Sequence, residues 1–123
     1  MLLSISDDIP IYFQIANAIK DAILSETFKD EEQIPSTNEI SLNYKINPAT
    51  VRKGFNILVE EGIIYKKRGM GMFVVKGARE ILMERRRDEF YKEYILKLME
   101  EAKKLNISGN EIIAMISKYD NKQ

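Results

Sequence analysis

The stretch Ile46-Asn-Pro-Ala-Thr-Val-Arg-Lys-Gly-Phe-Asn-Ile-Leu-Val-Glu-Glu-Gly62 decides the fold. Asn47 is a helix N-cap, with a side-chain oxygen able to accept from the free N–H groups of the first turn. Pro48 follows at the first helical position, where its missing N–H costs nothing. Val51, Phe55, Leu58 and Val59 fall at i, i+4, i+7 and i+8 and form one apolar stripe. Gly62 closes the helix as a left-handed residue. The first turns carry Asn47, Ala49, Thr50, Arg52 and Lys53, with no acid before Glu60. A helix that buries one side and presents such a turn suits the DNA major groove, where the N-terminal residues of a recognition helix reach base edges. A capped amphipathic helix is more often only a helix, so its flanks carry the decision.

Upstream, Ser36-Thr-Asn-Glu39 has the form of a capping box and opens a short helix with Ile40 inward. Asn43 to Asn47 is a turn of the length that joins two helices in a helix-turn-helix. Downstream the period changes from helical to alternating. Ile63-Ile-Tyr-Lys-Lys67 and Met72-Phe-Val-Val75 read as strands joined by Lys67-Arg-Gly-Met-Gly71. Such a hairpin, Gly-rich at its tip and cationic through Lys66, Lys67 and Arg68, is a wing; Gly69 and Gly71 let its backbone approach a phosphate or the minor groove.

Farther out, residues 2–5 form a short apolar lead, read as extended. Asp7 and Asp8 are expected to cap a helix from about Pro10 to Ser25, in which Tyr12, Ile15, Ala16, Ile19, Ile23 and Leu24 keep the helical period. Residues 28–35 read as a polar connection. Residues 78–105 read as helical, with Ile81, Leu82, Tyr91, Tyr94, Ile95, Leu98, Met99, Ala102 and Leu105 along one side, and Arg85-Arg86-Arg87 as a solvated interruption. Asn106 breaks that helix. Ser108-Gly-Asn-Glu111 is a second capping box, opening a helix with Ile112, Ile113, Met115, Ile116 and Tyr119. Two such helices without a third cannot bury their own stripes, but pairing with the same helices of a second copy would.

Composition narrows the alternatives. At 123 residues with 45% apolar content, the chain is one domain or one small domain with an appendage. Cysteine and histidine are both absent, which removes disulfides, thiolate nucleophiles, Cys/His zinc sites and the commonest general base. No apolar run approaches membrane-spanning length, and the N-terminus lacks the basic region of a signal peptide, so a cytoplasmic protein is expected. The net charge is zero, yet it is unevenly placed. Residues 1–43 carry 2 basic and 8 acidic groups, residues 44–76 carry 7 and 2, and residues 77–123 carry 10 and 9. Positive charge therefore gathers around the candidate recognition helix and wing, and a phosphate backbone responds to that local field.

These residues carry a resemblance. Ile9-Pro-Ile-Tyr-Phe-Gln-Ile15, Ile34-Pro-Ser-Thr-Asn-Glu-Ile40, Asn47-Pro-Ala-Thr-Val-Arg-Lys53, Leu58-Val-Glu-Glu-Gly-Ile-Ile64 and Arg68-Gly-Met-Gly-Met-Phe-Val74 resemble, in order, the motifs of the GntR family of bacterial transcription regulators. The short tail resembles the YtrA-like branch. The resemblance implies a winged helix-turn-helix that binds operator DNA as a dimer, with Ser36, Thr50 and Arg52 as phosphate or base contacts, Gly69 and Gly71 at the wing tip, and dimerisation through the helical tail. Three positions depart from the family pattern: Asn38 stands where an arginine is usual, and Met70 and Met72 occupy wing positions that are commonly polar.

The expectation is a mainly α chain, with a winged helix-turn-helix of three helices and a two-stranded wing over residues 1–77 and a two-helix dimerisation tail over 78–123. The expected DNA-contacting set is Ser36, Thr37, Asn38, Asn47, Pro48, Ala49, Thr50, Arg52, Lys53, Lys66, Lys67, Arg68, Gly69 and Gly71. The expected dimerisation set is Tyr91, Tyr94, Ile95, Leu98, Met99, Ala102, Leu105, Ile112, Ile113 and Ile116. The expected partners are double-stranded DNA and a second copy, with no cofactor, no metal, no membrane and an effector that the sequence does not identify. The function expected is sequence-specific regulation of transcription, as a repressor on an inverted-repeat operator. The rival is a winged helix used only for protein–protein interaction. An enzyme is the weakest reading, since no paired-acid, nucleophile or phosphate-cradle motif is present.

Overall fold

The computed structural model describes residues 3–122. Its elements, in chain order, are α1 (Ile11–Leu24), α2 (Thr37–Tyr44), α3 (Pro48–Glu60), β1 (Ile64–Lys67), β2 (Gly71–Val74), α4 (Ala78–Phe90), a π-helical turn (Tyr91–Ile95), α5 (Leu96–Lys104) and α6 (Gly109–Asp120). The chain is mainly α, with a two-stranded antiparallel wing, as a winged helix-turn-helix requires. It divides into two compact units, Met1–Glu84 and Arg85–Gln123.

In the first unit, Ile15, Ile19 and Ile23 of α1 join Ile40 of α2, Val51, Phe55 and Leu58 of α3, and Ile63, Ile64 and Val74 beside the wing in one core. Ala78 and Leu82 of α4 belong to the same core. This unit therefore runs seven residues past the expected boundary at 77, because burial of Ala78 and Leu82 ties the start of α4 to it. Arg79 Nε donates to Leu24 O at 3.0 Å, satisfying a carbonyl at the end of α1.

The inner face of α3 is Val51, Gly54, Phe55 and Leu58, while Val59, expected inward, is 42% exposed. At about 100° per residue, Val59 lies some 80° round from Val51 and falls off the edge of the stripe. Gly54 takes its place. A Cβ there would stand 2.9 Å from Tyr12 O and 3.2 Å from Ile15 Cβ, so α1 packs directly on the α3 backbone. Lys20 and Glu61 close the far end of this contact at 2.7 Å.

The expected caps separate into two groups. Asn47 Oδ1 accepts from Ala49 N at 2.8 Å, as anticipated. At the end of α3, Gly62 (φ +76°) and Ile63 donate to Val59 O and Leu58 O and complete a Schellman motif. Asp7 and Asp8 do not cap α1, whose N-cap is Pro10 with no side-chain cap. The N-terminal segment is held instead by buried Gln14, which accepts from Ser6 N at 2.9 Å and donates to Ser6 O and Ile9 O at 2.7 Å. Of the expected extended lead, residues 3–5 have no regular structure and Leu2 lies outside the described residues.

In the second unit, Leu96 N donates to Tyr91 O, an i→i−5 bond that makes the π-turn. Of the expected stripe, interrupted at Arg85–Arg87, Leu82 is buried in the core of the first unit, while Tyr91, Tyr94, Leu98, Met99 and Leu105 of the second unit are exposed. Asn106 (φ +55°) ends α5, with Ile107 N donating to Ala102 O at 2.8 Å. Ser108 Oγ caps α6 by accepting from Glu111 N at 3.1 Å. The reciprocal half of that box is altered: the Glu111 carboxylate accepts a hydrogen bond from the Ser108 hydroxyl at 3.3 Å.

Candidate nucleic-acid interface

Helix α2 begins at a complete capping box. Ser36 Oγ accepts from Glu39 N at 3.0 Å and Glu39 Oε1 accepts from Ser36 N at 3.2 Å. Thr37 is half-buried beside it and Asn38 is exposed. Ser36 thus has a structural role whatever else it contacts. Ser36→Ala is expected to destabilise the fold by about 1 kcal/mol, read from the denaturant midpoint; an unchanged midpoint would show that the cap contributes nothing.

Between α2 and α3 the chain turns on Lys45, which adopts the left-handed conformation at φ 54°. Ser41 Oγ donates to Ile46 O at 2.6 Å and Ile46 N donates to Ser41 O at 3.1 Å, so both backbone groups of buried Ile46 are held by one serine. This fixes where α3 starts. Asn47, Pro48, Ala49, Arg52 and Lys53 are exposed there, and Thr50 is half-buried. With Asn47 Oδ1 used by the cap, its amide retains N–H donors. Lys53 Nζ lies 4.1 Å from the centroid of the Tyr12 ring, a cation–π contact that parks its charge against α1. Among the described residues, Arg52 has no ion pair or hydrogen-bond partner. Exposed Asn56, which the sequence reading did not single out, shares the outward face with Ala49, Arg52 and Lys53. The signal was present: Asn56 stands at i+7 from Ala49 and i+4 from Arg52.

The wing pairs Ile64 with Val74, Tyr65 with Phe73, Lys66 with Met72 and Lys67 with Gly71. Arg68, Gly69 and Met70 form a three-residue tip, closed by Met70 N donating to Lys67 O at 2.9 Å. Lys66, Lys67 and Arg68 are all exposed, with Lys67 Nζ 4.9 Å above the Phe73 ring. Met72 packs on the core, whereas Met70 is 58% exposed. The two methionine departures from the family pattern are therefore different in kind.

Residues 31–34, expected as a polar connection, lie along the other edge of β2. Ile34 N donates to Met72 O and Val74 N to Glu32 O, both at 2.9 Å, and Gln33 bridges to Phe73. Gln33 Nε2 donates to Met70 O at the wing tip. Three residues later the chain enters α2 at Ser36, so this short extended piece links the start of the helix-turn-helix to the wing. The one local hint was Ile34 before Pro35, since a residue preceding proline favours extended backbone.

The family model for bacterial regulatory proteins of the gntR family matches residues 11–74, from the start of α1 to the end of β2. The chain belongs to the GntR family. Over 75 residues it is 36% identical to the transcriptional repressor YtrA of Bacillus subtilis, an alignment covering 61% of this chain and 58% of YtrA. The chain thus matches little more than half the length of that relative. A crystal structure of a GntR-family transcriptional regulator from Bacteroides thetaiotaomicron is 34% identical, with a TM-score of 0.75 over 92% of this chain and 98% of that one. The likeness therefore extends into the helical tail. The DNA-binding domain of AraR, solved in complex with its operator ORR3, is 28% identical, with a TM-score of 0.54 over 61% of this chain and 90% of that one. This GntR protein is a DNA-binding transcriptional regulator; its relatives are regulators rather than enzymes. No helix among the described residues is long and apolar enough to cross a membrane.

Proposed function

We propose that this GntR protein is a cytoplasmic repressor that binds an inverted-repeat operator as a homodimer, each copy placing the N-terminal turn of α3 in one major-groove half-site. The observation that carries the reading is the outward face of α3: Asn47, Ala49, Arg52 and Asn56 are exposed on a helix whose start is fixed by an N-cap and by the Ser41–Ile46 pair. Arg52 suits bidentate contact with guanine or a phosphate, and Asn56 suits adenine. Ser36, Thr37 and Asn38 at the start of α2 and the cations of the wing supply backbone contacts. Asn38 contributes a donor without charge.

The tail supports the dimer. Tyr91, Tyr94, Leu98, Met99, Leu105, Ile113 and Ile116 are exposed and Ile95 is half-buried, while Ala102 and Ile112 are buried. An apolar surface of this kind is stable in water when a second copy covers it. A two-fold dimer then expects half-sites about one helical turn apart, or a multiple of it.

The test is selection of genomic fragments by the purified protein, sized by light scattering. Recovery of an inverted repeat by a dimer supports the reading; failure to enrich any DNA at low salt overturns it in favour of a protein-interaction module. On the recovered operator, Arg52→Ala is expected to cost on the order of 1–3 kcal/mol of binding in a mobility-shift titration. Undiminished affinity would remove Arg52 from the interface.

A further inference from the structure

We propose that Met70, on a wing tip clamped by Gln33, makes the protein select A·T pairs where the wing enters the minor groove by excluding the 2-amino group of guanine. The inference rests on the operator-binding reading above. Met70 is the one apolar side chain of a tip otherwise composed of Arg68 and Gly69, and it is 58% exposed. A single exposed methionine is ordinary on a protein surface. This one differs in how it is held. Its N–H donates to Lys67 O at 2.9 Å, and its carbonyl accepts from Gln33 Nε2. Both backbone groups are therefore fixed.

The clamp has its own sequence requirements. Gly71 follows at φ +114°, and a Cβ there would stand 2.7 Å from Gln33 Nε2, so only glycine leaves room for that amide. Gln33 is in turn held in extended pairing with Phe73, with Ile34 N on Met72 O. A tip fixed from two sides loses little backbone freedom on binding.

The minor groove gives such a side chain something to read. A·T pairs present only the acceptors adenine N3 and thymine O2, whereas a G·C pair adds the guanine N2 amino donor. Arg68, beside Met70, is drawn to the phosphates that line the strongly negative, narrow groove of A·T-rich DNA. The methionine side chain offers only a weak sulfur acceptor. Pressed against a guanine amino group, it would strip the donor of water and return no hydrogen bond, whereas over an A·T floor it buries nothing that needs a partner.

The experiment scans the recovered operator, replacing each A·T pair flanking the half-sites first by G·C and then by inosine·cytosine. Inosine keeps the major-groove edge of guanine but lacks its 2-amino group. At the one or two pairs under the wing, G·C is expected to weaken wild-type binding roughly 5- to 100-fold, and inosine·cytosine to restore it. Met70→Ser, on the surface and expected to melt like the wild type, should bind the G·C and inosine·cytosine duplexes alike. Gln33→Ala should narrow the same ratio, because Gln33 acts through the position of Met70. Equal losses with G·C and inosine·cytosine at every pair, or undiminished discrimination by Met70→Ser, would overturn this inference alone. A wild-type protein that retains no operator duplex would overturn the operator reading and this inference with it.

Discussion

Gly54→Val is expected to lower the stability of the first unit by about 3 kcal/mol, moving its melting midpoint down by roughly 12–24 °C. The first added carbon alone would sit 2.9 Å from Tyr12 O and 3.2 Å from both Cβ and Cγ2 of Ile15. Tyr12 O is backbone in the first turn of α1, so relief requires moving a helix rather than rotating a side chain. Removing glycine from a helix interior gains up to about 1 kcal/mol of propensity. For Gly54→Ala that gain offsets part of the contact, so the loss should be smaller than for valine, whose two further methyl groups have no such compensation. Gly109→Ala is the control, since a Cβ there meets nothing within 4 Å. Thermal unfolding followed by circular dichroism reads all three. A Gly54→Val protein melting with the wild type would mean that α1 does not rest on α3 as described.

The second large effect concerns the wing. Changing Lys66, Lys67 and Arg68 together to glutamine is expected to flatten the slope of log affinity against log salt by about 0.9 per lost phosphate contact, up to roughly 2.7 in all. Over a fourfold change in salt that slope difference alone amounts to about 40-fold in affinity. The three side chains are exposed, and only Lys67 has a described contact, with the Phe73 ring. The triple variant should therefore fold, losing at most about 1 kcal/mol with that cation–π contact. Arg52→Ala makes the informative contrast: a residue that reads a base should lose affinity with a slope change of at most about one contact. A triple variant with the wild-type salt slope would take the wing off the DNA backbone.

Helix ends and turns were legible in the sequence because their chemistry is local. The Ser36–Glu39 box, the Asn47 cap and the Gly62 terminus each depend on residues no more than five positions apart, and each forms. The same holds for the hairpin, where a change to alternating pattern and two glycines mark a three-residue tip. The acid-free first turns of α3 suggested a DNA-facing surface, but the capping box and turn before it and the hairpin after it carried that reading.

What depended on distant partners was not legible. Whether Gly54 or Val59 completes the inner face of α3 is decided by where α1 lies, about 40 residues earlier in the chain. Asp7 and Asp8 looked like caps, but Gln14 reaches back and satisfies the segment from inside. Gln33 looked like part of a polar connection until β2 stood beside it, 40 residues on. Lys53 carries the same charge in sequence and in space, yet the Tyr12 ring decides where that charge rests.

By itself, then, the sequence determined the helices, the hairpin and the family, through caps, periodicity and turn residues that act within a few positions of one another. Only the tertiary structure decided which face of α3 is closed by glycine, where the first unit ends within α4, and that Gln33 holds the wing tip under Met70. Close approach between backbones and hydrogen bonds across some forty residues depend on how elements are brought together, and no local pattern encodes that distance.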